Sequence, residues 1–341
     1  MNRNTRSHPL TFVIVAESGS HFCDFTPYVA SVNNAGTVAF QAALAGGGTG
    51  VFTGHGGPVT TVAETAGGRY ASFYSHPDIT DDGALSVYAT TPKAKQTVAL
   101  LDHHQVGSTR DTGESFPTVG PLGPTMNQAG SVAFRANHNS GMSGVFVLKN
   151  DGAIVTIAET DGNFAGFHGL PVINRSGAVA FRADLKSGAK GIFSGHGGER
   201  TPVVETGEQF GDFSLFPSIN DHGTVAFGAT LTAGGVGVFT IGDGRLNTVV
   251  APGVFESVRN ALINNSGQVT FAATPHGGTL GAFAGPDPVA GKVLALGDSL
   301  FGSTVAEFAL NPVSVNDAGQ IALRVRLADG RQFILRADPV T

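Results

Sequence analysis

One octapeptide pattern, Asn-x-x-Gly-x-x-x-Phe, recurs along the chain and constrains its fold more than any other feature. It stands as "NNAGTVAF", "NQAGSVAF", "NRSGAVAF", "NDHGTVAF" and "NNSGQVTF", with weaker copies "TDDGALSV" and "NDAGQIAL". The motif glycines, Gly36, Gly83, Gly130, Gly177, Gly223, Gly267 and Gly319, are separated by 47, 47, 47, 46, 44 and 52 residues. A period of this length marks a supersecondary unit that buries its apolar face only by stacking on its neighbours.

Within a copy, alternation and glycine punctuation read as four short strands. In the fourth copy strand a is "LPVIN", strand b "AVAFRADL", strand c "GIFSG" and strand d "TPVVET", joined by "RSG", "KSGAK" and "HGGE". Helical periodicity is absent. The predicted fold is therefore all-β, a seven-bladed β-propeller of four-stranded antiparallel blades. The last copy stops after its strand c, "RQFILRA", while the chain opens on an unmatched strand d, "FVIVAE". The N-terminal strand is expected to complete blade 7. Residues 1–341 read as one domain, with 1–10 a short tail, and a monomer is expected.

Composition narrows the function classes. A formal charge of −6 offers no basic face to nucleic acid. Cys23 is the only cysteine, which excludes an intrachain disulfide and a cysteine metal site. No run reaches the roughly 18 apolar residues that would mark a membrane span. Arg3 and Arg6 before "LTFVIVA" imitate a secretion signal, but "VIVAESG" matches the internal "TVAETAG" and "TIAETDG", so it reads as a strand. The chain is expected in the cytoplasm if it is complete, and outside the cell if a signal was removed.

The repeats resemble a bacterial tandem-repeat family called "choice-of-anchor" for its varied cell-surface sorting tails. The resemblance covers nearly the whole chain. It implies a propeller-like array and brings no catalytic residues with it.

In such a blade the d–a and b–c connections share one rim, here the top, and the a–b and c–d turns share the bottom. All four tyrosines, Tyr28, Tyr70, Tyr74 and Tyr88, fall in top-rim segments of blades 1 and 2. The same sector collects Arg69, His76, Asp78, Lys93 and Lys95, with Arg135 and His138 from blade 3, and His21 and Gln41 from blade 1. His168 lies on the top rim of blade 4. His55, His196 and His222 go to the bottom, with His103 and His104. Where blade 4 has Phe164 and Leu170, blade 2 has Tyr70 and His76. Repeated packing gives no reason for that exchange, whereas one asymmetric site would.

Plainer roles fit several of these residues. The Phe-x-x-Phe pairs read as plugs between blades, and Tyr70 with Phe73 has the same spacing. Arg135, Arg182 and Arg324 follow the motif Phe position and suit interblade ion pairs with Glu17, Glu64, Glu159 or Glu205 at the same rim. Lys93 and Lys95 read equally as exposed loop cations.

The leading expectation is an enzyme with one top-face pocket near blades 1–3, acting on a small anion such as an acidic sugar or carboxylated metabolite. Tyr70, Tyr74, His76 and Tyr88 would move protons in lyase- or isomerase-type chemistry. Arg69, Lys93, Lys95, Arg135, His138, Tyr28, Gln41, His21 and His168 would bind the substrate. The alternatives are a non-catalytic lectin-like or small-ligand-binding propeller, and a protein-interaction scaffold. No cofactor is expected and no metal motif is present, although scattered aspartates leave room for a structural calcium ion in the channel.

Overall fold

The computed structural model describes residues 10–101, 112 and 116–340. Seven small antiparallel sheets stand in a ring and form a seven-bladed propeller. Blade 4 shows the plan, with strands Phe164–Ile173, Val179–Leu185, Lys190–His196 and Glu199–Glu205 in that order from the axis outward. In blade 1 the innermost strand is broken into Phe22–Asp24 and Ser31–Val32, both paired with Val38–Leu44. The predicted fourth strand of blade 2 falls outside the described residues, as do His103 and His104. Among the described residues no helix is long and apolar enough to cross a membrane.

The ring closes as expected. Leu10–Glu17 pairs antiparallel with Gln332–Pro339, from Leu10 opposite Pro339 to Glu17 opposite Phe333. This strand is the fourth of blade 7, beside Ser303–Ala309, Ile321–Leu327 and Gln332–Pro339.

Each part of the repeat motif has its own physical cause. The motif glycines hold φ between +75° and +90°, a left-handed turn that a side chain would strain. At Gly36 a β-carbon would also lie 2.9 Å from the Gln320 and His55 side chains. The motif phenylalanines are buried and pair across to strand c. Phe40–Phe52, Phe134–Phe146, Phe181–Phe193, Phe227–Phe239 and Phe271–Phe283 have ring centroids 5.7–5.9 Å apart. Seven apolar clusters result, one at each junction between neighbouring blades.

The motif asparagine ties blades together. Asn33 Oδ1 accepts from Thr37 N–H (2.9 Å), closing its own turn, while its Nδ2 donates to the Thr80 carbonyl of the next blade (2.9 Å). The interblade bond repeats from Asn127 to Asn174, Asn174 to Asn220, Asn220 to Asn264, Asn264 to Asn316, and Asn316 back to Asn33. Thr80 breaks the ring, because its hydroxyl turns to Asp82 instead. The next residues form a second ring at the bottom mouth of the axial channel. There Asn34 N–H donates to Asp81, Asp221 N–H to Asn265, Asn265 N–H to Asp317 and Asp317 N–H to Asn34.

Candidate functional site

The residue after the motif Phe position points toward the neighbouring blade near the top rim. In ring order it is Gln41, Tyr88, Arg135, Arg182, Gly228, Ala272 and Arg324. Gln41 Nε2 donates to the Phe73 carbonyl (3.1 Å) and Arg135 Nη1 to the Gly169 carbonyl (2.8 Å), both in the following blade. Arg182 pairs with Asp212 (3.0 Å), which Lys190 shares (2.7 Å). Arg324 pairs with Glu307 (2.7 Å). The predicted interblade ion pair holds for Arg182, with a different partner, whereas Arg324 pairs within its own blade. The acids sit on strand a and not at the end of strand d, because strand a faces the arginine across the ladder or the junction.

Three of the four tyrosines gather where blade 2 meets its neighbours. Tyr74 and Tyr88 have ring centroids 6.0 Å apart, and Tyr28 lies near enough to bear on the Tyr74 phenol. Tyr88 is fully buried and Tyr74 half-buried. Burial raises the pKa of both phenols, reinforced at Tyr74 by its tyrosine neighbours and opposed at Tyr88 by Arg135. At neutral pH both are donors. Burial also lowers the Arg135 pKa, with Tyr88 working against it. The Tyr88 hydroxyl faces the Arg135 backbone N–H, while the hydroxyl of Tyr74 and the Nε of Arg135 are buried without a hydrogen-bond partner among the described residues. Such groups are uncommon in folded proteins, since each carries an uncompensated desolvation cost. Arg135 also lines a pocket of about 280 Å³ with Val119, Gly120, Pro121, Asn137 and Ser143, and neither Tyr74 nor Tyr88 reaches its wall.

His76 is buried at the top of the axial channel. Its Nε2 lies 3.2 Å from the Pro124 carbonyl, so Nε2 carries the proton, and its Nδ1 accepts from Asn311 Nδ2 (3.1 Å). Gly123 makes the room, since a β-carbon there would overlap the imidazole ring. Burial pushes the His76 pKa down to about 4, against the pull of its bonds to Pro124 and Leu122, so the ring is neutral at pH 7. Asp78 accepts from Met126 N–H (2.6 Å) and Ile79 N–H (2.8 Å), and burial pushes its pKa up to about 7.

Other blades show what this arrangement replaces. Thr125, which aligns with Asp78, donates to the Pro171 carbonyl (2.9 Å) and accepts from Ile173 N–H (3.1 Å). Ser218 does the same with the Ala261 carbonyl (2.7 Å) and Ile263 N–H (2.8 Å). In blade 2 the two tasks are divided. Asp78 takes the N–H, and His76 serves the carbonyl.

The remaining predicted site residues are dispersed. Tyr70 packs on Phe73 (5.3 Å) in the cluster between blades 1 and 2, apart from the Tyr74–Tyr88 cluster, with the exposed Arg69 5.9 Å over its ring. Lys93 and Lys95 are exposed on the b–c loop of blade 2. His138 rests on Phe116 (5.6 Å), His168 pairs with Asp184 (2.9 Å), and His21 lies exposed against Phe22 (4.7 Å). Among the described residues no three His, Cys, Asp or Glu side chains are grouped to hold a metal ion. Sequence reading missed Asn311 and Gly123. Gly123 carries no chemical signal, and Asn311 comes from blade 7, two blades from its partner.

Residues 15–241 match the model described as a family of unknown function (DUF7453). No curated protein matches the chain by sequence. Among solved structures, a puromycin-hydrolyzing peptidase of Mycobacterium tuberculosis superposes with a TM-score of 0.59 at 12% identity, over 97% of this chain and 55% of that one. An oligogalacturonate lyase from Vibrio parahaemolyticus gives 0.50 at 12% identity, over 95% and 85%. TolB from Acinetobacter baumannii gives 0.47 at 12%, over 84% and 76%. At these identities the likeness to the peptidase and the lyase is one of fold alone.

Proposed function

Because the chain belongs to a family of unknown function, DUF7453, we propose its role from the site alone: a ligand-binding propeller that holds a small anion on its top face at the junction of blades 2 and 3. A carboxylated sugar or metabolite is the ligand class. The observation that carries this reading is the gathering of Tyr74 Oη and Arg135 Nε, both buried and unpartnered among the described residues, with the buried Tyr88 Oη, at a pocket of about 280 Å³ that Arg135 lines. A carboxylate is acceptor-only, so two phenols and a guanidinium N–H suit it. Binding is favoured over proton transfer because the raised phenol pKa values keep both tyrosines protonated, and His76 spends both ring nitrogens inside the fold.

The test is calorimetric titration with glucuronate, and with glucose as its neutral counterpart, on the wild type, Arg135→Gln and Tyr88→Phe. Glucuronate should bind at least about tenfold tighter than glucose, as one charge-assisted pair allows. Added salt should weaken it, and Arg135→Gln should remove the preference. Equal binding of both sugars, or an Arg135→Gln protein of unchanged preference, would sink the reading. Consumption of the glucuronate during the titration would instead favour the enzyme expectation.

A further inference from the structure

The repeat position that carries Gln41, Tyr88, Arg135, Arg182 and Arg324 elsewhere holds Gly228 in blade 5 and Ala272 in blade 6. At Gly228 the space is taken by backbone and side chain together, since a β-carbon would lie 3.1 Å from the Arg259 carbonyl, from Ser214 Oγ and from the Val258 side chain. At Ala272 no long side chain crosses to the next blade, and a cleft of about 480 Å³ opens on the top face over blades 5–7. Its walls include Phe213, Leu215, Phe216, Leu280, Phe308 and Leu310. Leu215 is 48% exposed, and Phe216 and Phe308 are half-buried. Apolar surface is therefore left to solvent around a concave opening of the size that takes small molecules, roughly 300–1,000 Å³.

The polar groups of this cleft select its occupant. Ser214 Oγ is used by Gly228 N–H (3.1 Å), and Asn260 Nδ2 by the Leu310 carbonyl (3.0 Å). Arg259 is different, for it is exposed on the cleft and makes no ion pair among the described residues, in a protein whose formal charge is −6. An aromatic wall with one guanidinium at its rim matches a ligand with an apolar body and a single anionic head.

We propose that the cleft over blades 5–7, formed where Ala272 replaces a bridging side chain, binds small amphipathic carboxylates, with the apolar body against Phe216 and Phe308 and the carboxylate on Arg259. This site shares no residue with the one at blades 2 and 3, so each stands or falls alone.

The probes are 4-phenylbutyrate and its uncharged counterpart 4-phenylbutanol, titrated calorimetrically into the full chain. The acid should bind at least about tenfold tighter than the alcohol, in keeping with one charge-assisted contact. Arg259→Gln should bring the acid to the alcohol's level, and Leu215→Ser should weaken both. Both residues are exposed, so these variants should melt with the wild type. Ala272→Leu should fill the cleft and abolish binding of both probes. The proposal is overturned if acid and alcohol bind equally, if neither binds at millimolar concentration, or if Arg259→Gln and Leu215→Ser both leave the acid's affinity unaltered.

Discussion

At His76 and Asp78, two residues divide the work that one hydroxyl does in blades 3 and 5, and this division can be measured. His76→Leu restores the residue type of blade 4 but strips the Pro124 carbonyl of its donor, which should cost about 1–3 kcal/mol. Asp78→Ser in that background places a hydroxyl where Thr125 and Ser218 have theirs, and should recover most of the loss. A double-mutant cycle by chemical denaturation should therefore show strong coupling, and effects that add to within about 0.5 kcal/mol would refute the division. The same residues govern a pH dependence. Asp78 has its pKa raised from 3.8 to about 7, so its contribution is present below the unfolded value and is lost as pH rises through 7. His76 has its pKa lowered from 6.5 to about 4, so its contribution is present above 6.5 and is lost as pH falls through 4. Between these limits the two slopes oppose one another. Asp78→Ser removes the first, so the variant's stability relative to wild type should climb between pH 4 and 7 by a few kcal/mol, at about 1.4 kcal/mol per unit. Parallel denaturation curves at pH 4.5 and 7.5 decide it, and an unchanged difference would show that Asp78 is ionised throughout. His76 stands two residues before Asp78, just outside the short strand Asp78–Ile79. The direction of the imidazole was not legible, because the space it fills is left by Gly123 of the next blade and its cap comes from Asn311 of blade 7.

At the scale of strand and turn, legibility followed locality. Strands b and c, the tight turn between a and b, and the need for glycine at its left-handed corner are all written inside one copy. The second task of the motif asparagine is not, since Nδ2 donates to a carbonyl some 47 residues onward and depends on which blades are neighbours. The predicted glutamate partners of Arg182 and Arg324 are displaced by Asp212, on a strand of the next blade that a single copy does not reveal, and by Glu307, across the ladder within the same blade. Because Thr80 interrupts the asparagine ring, Thr80→Asn should close it by donating to the Asn127 carbonyl, raising stability by about 1 kcal/mol. Asn220→Ala should do the opposite. It leaves the Asn264 carbonyl without its donor and the Thr224 and His222 N–H groups without their acceptor, one buried and two partly buried bonds, at a cost of about 2–4 kcal/mol. Thermal melts of the two variants should move in opposite directions, and a Thr80→Asn protein that melts below wild type would mean that the Thr80–Asp82 contact outweighs the interblade bond.

For the whole molecule, seven copies of one motif gave the blade count, and an unmatched strand at the start with a last copy short of its fourth strand gave the closure. The distribution of function around the ring was only partly legible. Tyrosines and cations are visible as residues, so the sector at blades 2 and 3 could be named, whereas the cleft over blades 5–7 arises from the smallness of Ala272 and had no chemical flag. Closure itself carries the last prediction. Leu10–Glu17 supplies the outer strand of blade 7 and also carries Val15 and Ala16 into the cluster of Phe22, Phe25, Phe40 and Phe52, so it seals blade 7 to blade 1. Removing residues 1–17 would leave the Gln332–Pro339 edge unpaired and strip cover from those rings. An unpaired apolar edge pairs readily with another chain. The truncated protein should therefore aggregate on purification and bind an apolar dye, and a synthetic peptide of residues 10–18 supplied during refolding should restore part of the monomer. Light scattering with size-exclusion chromatography reads both arms. A truncated chain that stays monomeric and melts with the full-length protein would mean that blade 7 holds its seam without this strand.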